Sequence, residues 1–337
     1  MELLYFRQMA SNNVGPFLGK KVDGTYYYLT ESTDRNRPLV ILVHGIGGAV
    51  YQWNRTCASL ERANYCVLMY DLIGRGMSDF PSSNTFDGAI HVSQLRRLVA
   101  NVRSLRANLS EKYHIVAHSM GGAIAALYAS QYPDEIHSVV FLSPAGLMNA
   151  GFFRFIRSCC GCMKDLVRSG QSGDKIVRGE FTQHKGKALE YENEEVRLFD
   201  LTNASNHRQF DAFWGSAMQF PLFGLDKEVK AVGAAPTIST MVMWGKKDGA
   251  VSFRPNFERW KKNLGIPSEI DAGTRTGTVV GDKNGSNTKK IVDYVIYDDL
   301  AHAFFLERPD EVHRDILAFL GRVEERHRLQ PADNTSV

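Results

Sequence analysis

Short apolar runs separated by amphipathic stretches recur along most of the chain. Leu39 to Val43, Cys66 to Tyr70, His114 to Ala117, Val139 to Leu142, Thr240 to Trp244 and Ile291 to Tyr297 are almost continuously apolar. Such runs predict strands buried on both faces. Between them, Leu95, Leu98, Val99, Val102 and Leu105 recur at helical spacing, with Arg96, Arg97, Arg103 and Arg106 opposite. That pattern predicts a surface helix with a solvated basic face. Gly121, Gly122, Ala123, Ala125 and Ala126 open a second helix and Pro309 a third. Strands alternating with helices predict right-handed crossovers and an α/β architecture, a mostly parallel sheet covered by helices on both faces. Thr25 to Leu29 is expected to add an antiparallel edge. The alternation breaks between about Gly146 and Pro236, where apolar bulk is dense but strand-like runs are missing.

One of these junctions carries candidate chemistry. The strand ending at Ala117-His118 runs through Ser119 into Met120-Gly121-Gly122, so a serine sits where the chain must reverse sharply into a helix. Such an elbow exposes the hydroxyl, and small neighbours are required because strand and helix pass close together. The pattern is A-x-S-x-G, one methyl larger than the usual G-x-S-x-G. A serine hydroxyl is a poor nucleophile at neutral pH and needs a histidine to take its proton and an acid to orient that histidine. Asp248 lies just beyond the Thr240 to Trp244 run, and His302 on the loop after the last run. All three therefore fall at strand carboxyl ends, where open parallel sheets place their sites. Ser143-Pro144-Ala145-Gly146 offers no carboxylate after the preceding strand, and Asp298 and Asp299 are too close in sequence to His302 to be first choice. His91, His137, His207, His313 and His327 are expected to be solvated side chains.

The order Ser119, Asp248, His302 resembles that of the α/β-hydrolase fold superfamily, in its cap-bearing serine esterase, lipase and carbon-carbon hydrolase branch. Two more motifs carry the likeness: His44-Gly45-Ile46-Gly47-Gly48 is similar to the family's oxyanion loop, and Asp71-Leu72-Ile73-Gly74-Arg75-Gly76-Met77-Ser78-Asp79 to its Gly-x-Gly-x-Ser turn. The resemblance implies a discontinuous core over residues 1–146 and 236–325. It also implies a helical cap over 147–235, inserted before the acid-bearing strand. Ile46 and Met120 would form the oxyanion hole through their backbone N–H groups, with His44 a structural hydrogen-bonder rather than a base. Phe152, Phe153, Phe213, Trp214 and Phe220 are the expected substrate-binding residues of the cap.

Composition narrows the picture without creating it. At 337 residues, 44% hydrophobic and 23% charged, the chain can bury a sizeable α/β core. A net charge of +3, with scattered Lys and Arg, assigns no nucleic-acid role. No run of eighteen apolar residues predicts a spanning helix, and Met1 to Arg7 fits neither a secretory signal nor a myristoylation site. The expectation is a cytoplasmic protein. Five cysteines, three of them at Cys159, Cys160 and Cys162, do not form a disulfide framework, and Cys57 and Cys66 read as reduced core residues. In the cap, Phe152, Phe155, Ile156, Cys159, Met163, Leu166 and Val167 share a helical stripe opposite Arg154, Arg157, Lys164 and Arg168. That stripe either packs over the pocket or makes peripheral membrane contact, in which case the cysteines are candidates for acylation. Residues 272–290 read as a flexible, glycine-punctuated insertion and 326–337 as a tail.

The expectation from sequence is a serine hydrolase, esterase, carboxylesterase or monoacylglycerol-lipase-like, that cleaves a small-molecule carboxylic ester with an apolar acyl chain, through an acyl-enzyme on Ser119, without metal or organic cofactor. Serine at position 119 excludes the epoxide hydrolase and haloalkane dehalogenase relatives, which need a carboxylate there. Two readings stay open beside it: a carbon-carbon bond hydrolase of the same branch, and a slow-turnover ligand receptor on the same fold.

Overall fold

The computed structural model describes residues 19–30, 37–105, 109–151, 157–158, 162–170, 172–266, 278–280 and 290–329. Expectations for Phe152, Phe153, Phe155, Ile156, Cys159 and Cys160, for the side chains of Cys162 and Met163, for most of 272–290 and for most of the tail lie outside them.

Among the described residues nine strands form one sheet: β1 (Lys20–Val22), β2 (Thr25–Leu29), β3 (Leu39–Val43), β4 (Cys66–Tyr70), β5 (Tyr113–His118), β6 (Ile136–Leu142), β7 (Ser239–Gly245), β8 (Thr278–Val280) and β9 (Lys290–Tyr297). Their order is β1-β2-β4-β3-β5-β6-β7-β9-β8. The six strands from β4 to β9 in that order pair in parallel, while β1, β2 and β8 pair antiparallel at the two edges. Thr25 to Leu29 pairs antiparallel as the pattern predicts, but it is not itself the edge: β1 lies outside it. Two strands were not legible: β1 is short and polar, and β8 makes part of the expected flexible insertion an edge strand.

Side-chain alternation explains why helices cover both faces. Leu39, Ile41 and Val43 of β3 enter one core, and Val40 and Leu42 enter the other. Helix α1 (Asn54–Arg62) follows β3, α2 (Gly88–Leu105) follows β4 and α3 (Met120–Gln131) follows β5. The first core is closed by α2, α3 and two later helices, the second by α1 and the carboxyl-terminal helix. Between β6 and β7 lie α4 (Cys162–Ser169), α5 (Gly173–Gly179), α6 (Gly186–Ser205), α7 (Gln209–Gln219) and α8 (Asp226–Ala234). After β7 come α9 (Phe253–Leu264), α10 (Phe304–Glu307) and α11, which opens on Pro309 and runs Pro309–Leu329.

Several polar positions differ from their sequence reading. His91 and His313 are buried, not solvated: His91 packs edge-on against Phe220 and His313 bonds Thr56 at 3.0 Å. His137 and His327 meet with their rings tilted, 4.1 Å between centroids, and Nδ1 of the first lies 2.9 Å from Nε2 of the second. The α2 arginines are not all free either. Arg96 pairs with Glu135 and lies over Tyr132, and Arg103 lies over Tyr113. In each case the partner comes from a distant element, which helical periodicity cannot register. Cys57 and Cys66 are buried free thiols, as expected.

The helices between β6 and β7 are fastened to the core at several points. Arg55 of α1 pairs with Glu194 and Glu195 of α6 and stacks on Tyr191 at 4.1 Å. Asn206 donates to the carbonyls of Gly74 and Gly76, and Gln219 accepts from the Phe86 N–H. Thr182 donates to Glu307 and to the Asp299 carbonyl.

Candidate active site

Ser119 stands between β5 and α3 at φ 54°, ψ −119°. Positive φ is costly for a residue with a Cβ, and it persists here because the surroundings over-determine it. The Ser119 N–H donates to Leu142 O at 3.0 Å, and its carbonyl accepts from Gly122 and Ala145. The elbow also fixes its neighbour: a Cβ on Gly121 would lie 2.3 Å from Val43 O and 2.7 Å from His44 O. Ala117, the departure from the usual motif, is fully buried in the first core, so its methyl has a place.

Asp248 follows β7 and His302 follows β9. The two loops are zipped together, with Lys246 N donating to Tyr297 O and Lys247 N to Leu300 O. His302 Nδ1 lies 2.8 Å from Asp248 Oδ2, while Asp248 Oδ1 accepts from the N–H groups of Ala250 and Val251. The carboxylate can only accept, so Nδ1 carries the proton and Nε2 is left as the base. Burial alone would lower the His302 pKa. The charge and hydrogen bond of Asp248, with Glu180 adding to them, outweigh burial and hold it above the ordinary value. Asp298 and Asp299 are engaged elsewhere, with Lys246 and Arg308.

Ser119, His302, Ile46 and Met120 line one cavity of about 290 Å³. Its apolar wall includes Met148, Phe199, Phe213, Ala217, Leu222 and Val251. Of the expected cap contacts, Phe213 is therefore at the cavity. Trp214 and Phe220 are not among the residues that line it: Trp214 stacks with Phe210 and Phe220 is fully buried in the first core. A helix carries successive aromatics to different faces, and sequence density alone did not separate them.

The loop bearing Ile46 is held by His44 and by a buried arginine that the motif reading left without a role. His44 Nε2 accepts from Leu72 N at 2.9 Å, so its Nδ1–H donates to Gly45 O. Burial drives its pKa down to about 3, and His44 is a neutral brace, as expected. Arg75, fully buried, donates Nε to Ile46 O at 3.0 Å, Nη1 to Ile73 O at 2.9 Å, and Nη2 to Ala212 O and Ser216 Oγ at 3.0 and 2.8 Å. One guanidinium thus joins the oxyanion-type loop, the 71–79 turn and α7. Asp71 accepts from Val50 N and Met77 N, and burial raises its pKa to about 7. His118 also lines the cavity, its ring 4.5 Å from that of His302 and its Nε2 donating to His302 O at 3.2 Å. Neither Arg75 nor His118 was singled out by sequence, since their partners come from other elements; the flanking glycines of Arg75 were the available signal.

Comparison with known proteins agrees with this architecture. Residues 38–160 match the family model described as alpha/beta hydrolase fold. Lipase 1 of Psychrobacter immobilis is 26% identical over 210 residues, 62% of this chain and 62% of that protein. The chain thus spans less than two thirds of the length of that curated relative. A carboxylesterase structure from the thaumarchaeon Nitrososphaera gargenis superposes with a TM-score of 0.65 at 16% identity, covering 92% of this chain and all of that one. The meta-cleavage product hydrolase of Pseudomonas fluorescens gives 0.59 at 17% identity, covering 88% and 94%. With its mostly parallel sheet in this order and helices on both faces, the chain has the α/β-hydrolase fold.

Proposed function

We propose that this chain is a serine hydrolase of carboxylic esters with an apolar acyl chain. The observation that carries the reading is the Asp248–His302 pair, whose Nε2 is left unprotonated at a cavity shared with Ser119. Ser119 Oγ attacks the ester carbonyl as His302 Nε2 takes its proton, and the carbonyl electron pair moves onto oxygen. The N–H groups of Ile46 and Met120 receive that charge; one such donor typically contributes about 3 kcal/mol. Collapse expels the alkoxide, which takes the proton from His302, and water then repeats the sequence on the acyl-enzyme. Asp248 fixes the tautomer throughout. The helices of 147–235 act as a cap whose Phe213 and Leu222 give the acyl chain an apolar slot. The lipase and carboxylesterase relatives agree with ester cleavage.

Fluorophosphonate labelling followed by a p-nitrophenyl ester series tests this reading. Ser119→Ala should abolish labelling and lower kcat by several orders of magnitude. The wild type should improve from acetate toward medium chains, by up to about 0.8 kcal/mol for each methylene that finds a dry slot. An acetate optimum would remove the apolar-chain assignment, and faster cleavage of a vinylogous diketone than of any ester would make the enzyme a carbon-carbon hydrolase.

A further inference from the structure

The loop 298–303 between β9 and α10 carries His302 and is held from two sides. On the core side Lys247 N donates to Leu300 O, and His118 Nε2 to His302 O. On the other side stands the segment that follows α5: Ala303 N donates to Glu180 O at 3.2 Å, and Thr182 Oγ1 donates to Asp299 O at 2.8 Å. The backbone before and after the histidine is thus bonded to two residues that flank Phe181, which is itself buried in the second core. Glu307 of α10 locks the arrangement. Its buried carboxylate accepts from Thr182 N at 2.9 Å and lies 2.7 Å from Thr182 Oγ1, so it fixes that residue by backbone and side chain together. Asp299, Thr182 and Glu307 therefore close a bracket of hydrogen bonds around the stretch that bears the base.

His302 must hold Nδ1 at Asp248 while Nε2 meets Ser119, and a misplacement of about 1 Å can cost about a hundredfold in rate. Resting on the ester reading above, we infer that Thr182 and Glu307 are positioning residues for the general base: they align His302 from the segment between β6 and β7, and proton transfer requires that segment to be docked. Neither side chain lines the cavity, so their effect passes through the loop and not through contact with substrate.

The test compares Thr182→Val, Thr182→Ser and Glu307→Gln with the wild type on p-nitrophenyl acetate and octanoate. Thr182→Val keeps the bulk and the N–H but loses the hydroxyl bridge. Its kcat should fall by about tenfold on both esters, with KM within about twofold. Against burial, the Asp248 contact holds the His302 pKa up, so a loosened contact should also move the limb of kcat toward lower pH. Thr182→Ser should restore both quantities. Glu307→Gln should stay near wild type, because the amide oxygen can accept from Thr182 N and the amide NH2 can donate to Thr182 Oγ1, whose own proton is then free for Asp299 O. Wild-type kcat and limb in Thr182→Val would overturn the inference. So would a loss that falls on KM alone or on octanoate alone, since the segment would then be only a wall of the acyl slot. NMR titration of the His302 ring needs no substrate: an unchanged pKa in Thr182→Val overturns the inference whatever the ester assays give. A ring pKa that falls as expected, in a protein whose wild type cleaves no ester and takes up no fluorophosphonate, overturns the ester reading while the alignment of His302 by Thr182 stands.

Discussion

Arg75→Met removes a fully buried guanidinium. Its four hydrogen bonds reach three carbonyls and the Ser216 hydroxyl from a fully buried position. Each buried acceptor left unpaired costs about 1–3 kcal/mol. Against that, the variant no longer buries a cation, whose cost shows in an Arg75 pKa lowered to about 9. The net loss should be about 2–4 kcal/mol, a large share of the roughly 5–15 kcal/mol that holds a domain folded. Activity should fall as well, because Ile46 O is one of the four acceptors. If the neighbouring N–H loses its aim at the oxyanion, about 3 kcal/mol of transition-state stabilisation goes with it, a kcat lower by roughly a hundredfold. Urea unfolding measures the first effect and kcat on a short soluble ester the second. Ser216→Ala serves as the companion variant: it deletes one contact to α7, should cost about 1 kcal/mol, and leaves the Ile46 contact and kcat nearly intact. Wild-type stability and kcat in Arg75→Met would refute the claim that this side chain holds the loop.

Activity should rise with pH through a single limb centred above about 6.5, the ordinary histidine value, because His302 must be neutral to act as base and its pKa is held up by Asp248 and Glu180. Glu180→Gln should move that limb toward lower pH, whereas His44, already neutral with a pKa of about 3, contributes nothing to it; a flat rate profile from pH 5 to 8 would exclude a histidine base. Gly121→Ala should prevent folding or cost several kcal/mol, because the new methyl meets backbone oxygens at 2.3 and 2.7 Å that cannot move aside. Thermal unfolding and soluble yield report it, and Ala117→Gly on the other side of the serine should cost only about 1 kcal/mol.

The parallel core strands and the elbow were legible for a physical reason. A strand buried on both faces writes its position as an unbroken apolar run, and a tight strand-to-helix crossing admits only small residues, as at Gly121 and Gly122. The order of Asp248 and His302 could be read because each closes such a run. β1, with two exposed lysines, and β8 left no comparable trace, since edge strands need little apolar surface. Arg75, His118 and His91 are polar residues whose burial is decided by partners far along the chain. Phe213 and Phe220 carry the same side chain seven positions apart on the same stretch, and only packing sent one to the cavity and the other to the core.

The parallel sheet also decides how the site comes into being. Ile46, Ser119, Asp248 and His302 follow β3, β5, β7 and β9, four strands that adjoin across the sheet only with β6 between them. Parallel neighbours close long loops before any pairing rewards them, so such pairings form slowly. A nascent chain stopped before residue 290 would hold Ser119 and Asp248 with neither the β9 strand nor His302. If the proposed ester hydrolysis holds, activity regained during refolding would therefore report registry across the whole sheet rather than the formation of any one part of it.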